Sequence, residues 1–400
     1  MIINGNKFLP FILHWNGKQL KVLFALLNVK RGYLVIALLV MSMNSLYQYS
    51  WNVFEPMIAS GLHTTAVYVE VAFTLFTVFS TTFQGVGGYF ADRDGPARVG
   101  VISALLSAFG FIGGSFSGSI YEFYAVWSIG SIGEGILYGI ATNLAVKWYS
   151  DMRGLAVGIV SLGFGVGSSV ANVFLVHAPN FRLPMMVIGL IELVLMPLML
   201  YFAKYPKANL SGGRPRRNLT SPAFWILYIS FVFGSIPLLV ISSSFGYIGS
   251  HLPPYEFSIL VSLFPLLSGI SRPILGWMSD RIGRSAAVML IDAFIIVGSA
   301  FLSLRQYVLA IVLIGFFGGS MISLYFAYVG DVFGTRFSTA NNGVFYTGKS
   351  ISGFIGSTIF ALMFSYDVTL SYIFVLISAI AGLIFLIASR GAVRKSRSMQ

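Results

Sequence analysis

Gly88-Tyr89-Phe90-Ala91-Asp92-Arg93-Asp94-Gly95-Pro96-Ala97-Arg98 and, further along the chain, Gly276-Trp277-Met278-Ser279-Asp280-Arg281-Ile282-Gly283-Arg284 carry one pattern, G-x-x-x-D-R-x-G with a later Arg. Asp92 and Asp280 are 188 residues apart. That separation is half the apolar part of the chain, so the sequence reads as a duplication. Each copy follows an apolar run and marks where it ends. Gly88 and Gly276 are expected to let helix ends approach closely. Asp92 and Asp280 are expected to accept from helix N-termini and to pair with basic side chains, among them Arg93, Arg281 and Arg284. Gly95 and Gly283 are expected to permit a tight turn.

Outward from these two loops, the chain is a succession of apolar runs. A membrane-spanning helix needs roughly 20 apolar residues. Such runs occupy residues 33–53, 66–88, 99–118, 122–147, 153–177 and 183–203, then 222–246, 255–278, 285–303, 307–330, 340–365 and 369–389. The polar stretch 204–221, with Pro206, Gly212, Gly213 and Pro215, separates the two sets and reads as a cytoplasmic linker. The expected fold is an all-α membrane protein of twelve transmembrane helices in two pseudo-symmetric six-helix bundles, 33–203 and 222–389. A basic arm, 1–32, precedes them and a basic tail, 390–400, follows. The apolar stretch 8–13 is short and is followed by Lys18 and Lys21, which does not read as a cleavable signal.

Composition agrees. The 400 residues are 56% hydrophobic and 10% charged, against about 25% charged in soluble domains. The net charge of +12 is spread in short clusters between apolar runs, which argues against nucleic acid. If the N-terminus is cytoplasmic, 21 of the 25 Lys and Arg fall in inside segments and only Arg182 and Arg305 in outside loops. That bias predicts cytoplasmic termini and an inner or plasma membrane location. No cysteine is present, so there is no disulfide framework and no thiolate site. His14, His63, His177 and His251 are scattered, and neither metal nor cofactor is expected.

On these residues the chain resembles the major facilitator superfamily over nearly its whole length. It looks most like the oxalate/formate antiporter branch, which is related to the monocarboxylate transporters. The carrying segments are Gln48-Tyr49-Ser50-Trp51, Ala72-Phe73-Thr74-Leu75, Leu137-Tyr138-Gly139-Ile140-Ala141, Arg153-Gly154-Leu155-Ala156, Ser271-Arg272-Pro273 and Asp331-Val332-Phe333-Gly334-Thr335, with Lys349 in the eleventh run. The resemblance implies transport of small carboxylate anions, with Arg272 and Lys349 binding the carboxylates. Three departures stand out. Arg98 comes one place later than the family's Arg, Glu134 stands where the family more often has a small apolar residue, and Gly318 and Ile322 replace bulky aromatics. The last change is expected to widen the site.

The residues themselves point the same way. A charge at the bilayer centre costs about 2.5–3.5 kcal/mol on insertion scales, so Arg272 and Lys349, the two cations inside expected spans, need a purpose. Arg272 lies eight residues before Asp280, and Lys349 nine residues after Ala340. Both therefore sit roughly 12–14 Å from the cytoplasmic end, near mid-membrane. Guanidinium holds a carboxylate in a fork, and ammonium acts as a point charge. Tyr138 reaches the same depth. Tyr346 shares a helix face with Lys349, and Gln48 and Tyr49 are expected in the outer half of the first helix. Glu134 is the coupling candidate, while Glu192 and Asp292 are expected to be structural.

The expected function is secondary transport of a small carboxylate by alternating access, oxalate-for-formate antiport in type. The alternative is proton-coupled symport of lactate- or pyruvate-like monocarboxylates. A membrane sensor on the same fold is a distant third, because no soluble output domain is evident. The absence of a Ser/His, paired-carboxylate or metal-ligand constellation at one depth argues against an enzyme. The partners expected are the anion and the lipid bilayer, with the chain working as a monomer.

Overall fold

The computed structural model describes residues 17–149, 153–206, 219–249, 252–333 and 338–398. The start of the basic arm, most of the linker and Arg336 lie outside these. Every regular element among the described residues is helical. The first half comprises α1 (Gly17–Tyr49), α2 (Trp51–Gly61), α3 (Ala66–Asp94), α4 (Pro96–Phe116), α5 (Ile120–Trp148), α6 (Arg153–Leu175) and α7 (Arg182–Tyr201). The second comprises α8 (Pro222–Ile248), α9 (Pro254–Ile282), α10 (Arg284–Ser303), α11 (Tyr307–Phe333), α12 (Ser338–Tyr346), α13 (Gly348–Phe354), a π-helical turn (Ile355–Ile359), α14 (Phe360–Tyr366) and α15 (Val368–Ser398).

Among the described residues, ten helices are long and apolar enough to cross a membrane. The other two expected spans are interrupted. The first breaks at Ser50 between α1 and α2, and the eleventh breaks at Thr347 and again at the π turn. Helices apolar on all sides bury one side in protein and offer the other to lipid. On α7, Met185, Glu192 and Met196 are buried while Val194 and Leu198 are exposed. A multi-pass membrane bundle follows.

The two motif turns superpose in conformation. Gly95 has φ 93° and ψ 148°, and Gly283 has φ 87° and ψ 146°. Both dihedral pairs favour glycine, and in the first loop Pro96 opens α4 at its first helical position. Asp92 pairs with Lys147 at the end of α5 (2.5 Å). Asp280 pairs with Arg284, which also reaches Asp331 at the end of α11 (3.5 Å). The first aspartate's partner is thus a lysine from another helix and not an arginine of its own loop. Arg93 instead binds Asp94 (2.8 Å), and Arg281 lies over Trp277 (3.7 Å).

The close-packing role expected of Gly88 and Gly276 is not found. A Cβ added at either would meet open space. The tight approach falls one residue earlier, where a Cβ on Gly87 would come within 2.3 Å of Ile136. On α5 the demand is stricter still, since a Cβ on Gly135 would stand 1.9 Å from the Ser80 carbonyl oxygen. Backbone cannot step aside as a side chain can. Gly135→Ala is therefore expected to cost at least the 1–3 kcal/mol typical of overpacking and to lower the melting temperature of the purified protein. Gly88→Ala, its control, should leave that temperature unchanged.

Small residues and hydroxyls line two of the seams between the halves of the chain. Along α6 and α9, Gly165 and Gly269 leave room for less than a methyl group (2.6 Å). Ser169 donates to the Ser262 carbonyl (2.7 Å), and Asn172 to the Val261 carbonyl (2.9 Å). Along α3 and the broken eleventh span, Thr81 and Ser350 share a hydrogen bond (2.5 Å), as do Thr74 and Ser357 (2.7 Å). Small residues and hydroxyls are what lets membrane helices touch.

Candidate functional site

Five helices, α1, α5, α9, α12 and α13, bring the predicted residues together at mid-bundle. Lys349, at the start of α13, donates to Gln48 Oε1 of α1 (2.8 Å) and contacts the Tyr346 hydroxyl (3.2 Å). Its ammonium lies 5.3 Å from the ring centres of both Phe76 and Tyr346. The break at Thr347 places Tyr346 and Lys349 on neighbouring helical segments without separating them. Tyr346 stacks on Tyr138 of α5 (5.8 Å, 20°), and Tyr138 meets Phe164 of α6 edge-on (5.6 Å).

Arg272 of α9 lies over the same Phe164 (5.3 Å). Its Nε donates to the Gly319 carbonyl (3.0 Å), and one terminal nitrogen donates to the Ser161 carbonyl (3.4 Å). The phenols of Tyr49, Tyr138 and Tyr346 all act on it electrostatically. The Tyr49 hydroxyl bonds Ser268 (2.6 Å), one turn from Arg272. Arg272 is 6% exposed and Lys349 2%, and each acts on the other's charge. Neither is ion-paired among the described residues. A guanidinium has five N–H donors, and the two carbonyls leave several free.

Gln48 and Tyr49 lie deeper than expected. The first span does not stop at residue 53, because α2 carries it on to Gly61. That extension shifts Gln48 and Tyr49 from the outer half to the level of the two cations. Glu134 does not pair directly with Lys349. It accepts from Ser80 (2.5 Å) and acts on Lys349 through space. Glu192 accepts from Ser107 (2.8 Å) and Asp292 from Tyr325 (3.4 Å), both within a single half. The extra room expected at Gly318 is filled, since Leu238 lies 3.2 Å from where its Cβ would stand. Ser80, Phe76 and Phe164 complete the site. Of these, only Phe164 had a sequence signal, its place among the glycines of α6.

Two further acids fall outside the predicted set. Glu55 of α2 and Glu70 of α3 are 1% and 0% exposed. Glu70 lay inside an expected span, and an ionisable residue there is by itself a signal. Glu55 sits beside Pro56, past the expected end of the first span, and reads from the sequence as loop.

A multi-pass helical bundle with two cations among aromatic rings at its centre, neither ion-paired among the described residues, fits the class of membrane transporters. The chain belongs to the Major Facilitator Superfamily, whose model matches residues 34–357 and 230–398. Members of that family are transporters and not enzymes. The chain is 42% identical to an uncharacterized 38 kDa protein in a 23S RNA operon of Thermoproteus tenax over 90% of this chain and 96% of that one. It is 32% identical to the oxalate:formate antiporter of Oxalobacter formigenes over 85% and 86% of the two chains. In fold it is similar to the human organic anion transporter MFSD10, with a TM-score of 0.67 at 12% identity, covering 89% of this chain and 99% of that one.

Proposed function

We propose that the chain exchanges small carboxylate anions across the cell membrane by alternating access, in the manner of an oxalate:formate antiporter. Its twelve spans form two six-helix halves, 33–203 and 222–389, joined by the linker 204–221, with both termini cytoplasmic and one chain sufficient. The carrying observation is the pair Arg272 and Lys349, buried from different helices and without a carboxylate partner. A small anion between them satisfies both charges at once. Arg272 serves as the fork and Lys349 as the point charge. Tyr138, Tyr346, Tyr49 and Gln48 supply the polar edges that orient the anion. The glycine turns at 95 and 283 mark the cytoplasmic side.

A second reading, proton-coupled monocarboxylate symport, is favoured by one observation: Glu134 is buried within electrostatic reach of Lys349. Purified protein in liposomes separates the two. Under antiport, labelled oxalate enters only vesicles preloaded with formate or oxalate, and Glu134→Gln leaves exchange largely intact. Uptake of labelled lactate into anion-free vesicles, driven by an inward proton gradient and lost in Glu134→Gln, decides for symport. A competition series of one- to four-carbon carboxylates then ranks the substrates.

A further inference from the structure

The end of the bundle opposite the glycine turns carries a second ionisable constellation. It has no role in holding the anion, because it lies where α2 and α3 of the first half meet α8 of the second. The Asn52 amide spans one step of the α8 backbone ladder, donating to the Ile241 carbonyl (2.8 Å) and accepting from the Phe245 N–H (2.9 Å). One turn further along α2, Glu55 rests on the same stretch. A Cβ on Gly246 would stand 2.5 Å from the Asn52 carbonyl oxygen and 2.6 Å from Glu55 Oε2. Glu70 is bonded by the Trp51 indole (3.4 Å) and lies within electrostatic reach of Ser243 on α8. Glu55 and Glu70 act on each other electrostatically.

Two oxygens in this cluster, Glu55 Oε2 and Glu70 Oε2, are buried with no hydrogen-bond partner. Among the described residues, Ser243 from α8 and Trp51 from α2 face the pair, and neither is a cation. Phe123 and Trp127 of α5 pack behind Trp51. Two adjacent carboxylates shut away from water with no counter-charge do not both remain ionised. A proton on one of them removes a charge and supplies a donor for an oxygen that has none. Because the pocket walls come from both halves, parting α8 from α2 admits water and releases the pair.

We propose that Glu55 and Glu70 form a proton-binding site in the outer seam between the halves, occupied while α2 rests on α8 and emptied to the outside when they part. The proposal rests on the alternating-access reading but on no particular substrate. The closed state holds one proton more than the open one. By linkage, the open-to-closed ratio therefore rises roughly tenfold per pH unit over the range where the exposed carboxyls are already ionised and the closed pair still holds its proton. Acid outside holds the seam shut, and alkali lets it open.

The test needs no transported anion and uses the natural lack of cysteine. Tyr121 at the start of α5 and Tyr366 at the end of α14 are both exposed, at the outer ends of the two halves. Spin labels on Tyr121→Cys and Tyr366→Cys, in nanodiscs, report the seam by electron double resonance. The expected result is a short-distance population in acid that gives way to a longer one in alkali. The same response is expected with Glu134→Gln added, and a short distance at every pH with Glu55→Gln/Glu70→Gln. A distance independent of pH in the parent pair overturns the proposal. So does a response lost with Glu134→Gln, or one that survives in the double Gln variant. Closure by sodium at constant alkaline pH overturns it in favour of a metal cation. Should the double variant not fold, the parent pair and the Glu134→Gln background still decide. Loss of exchange in Arg272 variants with an intact pH response leaves the seam proposal standing and tests only the anion site.

Discussion

Arg272→Ala is expected to abolish labelled-oxalate exchange in liposomes while the protein still inserts and purifies. Truncating one partner of a buried, hydrogen-bonded charge pair costs about 2–5 kcal/mol, which is roughly a 30-fold to several-thousand-fold loss of affinity. Arg272→Lys is expected to fail almost as badly. The guanidinium is held by two carbonyls on different helices, Gly319 of α11 and Ser161 of α6. Ser161 belongs to one half and Gly319 to the other, so the fork is oriented from both sides of the seam. An ammonium has no plane to be held in and no paired donors to present. The carbonyls alone do not explain the arginine, because they leave its positive charge uncompensated. Binding measured directly, by titration calorimetry with oxalate, is the check. Wild-type affinity in Arg272→Ala would remove the residue from the anion site and reduce it to a strut between helices.

How much of this was readable beforehand depended on whether a feature is local. The repeated motif is legible because a glycine of the same positive φ recurs in two corresponding loops, and φ belongs to a single residue. The two central cations were legible because charge inside an apolar run is conspicuous, and their depth follows from counting along helices. The spacing also put Tyr346 beside Lys349 correctly, although the helix breaks between them. What was not legible depends on neighbours distant in sequence. Gly87, not Gly88, is the crowded position, because Ile136 arrives from α5. Gly318 opens no space, because Leu238 of α8 takes it. The depth of Gln48 and Tyr49 is not legible because α2 continues past a break at Ser50 that hydropathy cannot see. The same continuation conceals Glu55, and with it the acidic pair.

Lys349→Ala is expected to discriminate between anions in a way that Arg272→Ala does not. Among the described residues the ammonium is hydrogen-bonded to neutral groups, the Gln48 amide oxygen and the Tyr346 hydroxyl. It is also surrounded by the ring faces of Phe76 and Tyr346, which favour a cation there but carry no net charge. In the proposed binding mode a dianion meets Arg272 with one carboxylate and Lys349 with the other, whereas a monoanion satisfies the arginine and leaves the lysine to its present partners. Loss of the ammonium therefore removes the second anchor for oxalate, by about 100-fold or more if it costs 3 kcal/mol. The first anchor for formate or acetate is left largely in place. Removing Lys349 also strips Glu134 of the positive charge that acts on it, and an unpaired buried carboxylate is itself costly. Lys349→Ala/Glu134→Gln is thus expected to be better folded than Lys349→Ala alone, while remaining as poor with oxalate. Competition by formate and by oxalate against labelled formate, measured in both variants, reads the two effects apart. Equal loss of the two anions in the double variant would show that the lysine sets the overall charge of the chamber and does not grip a second carboxylate.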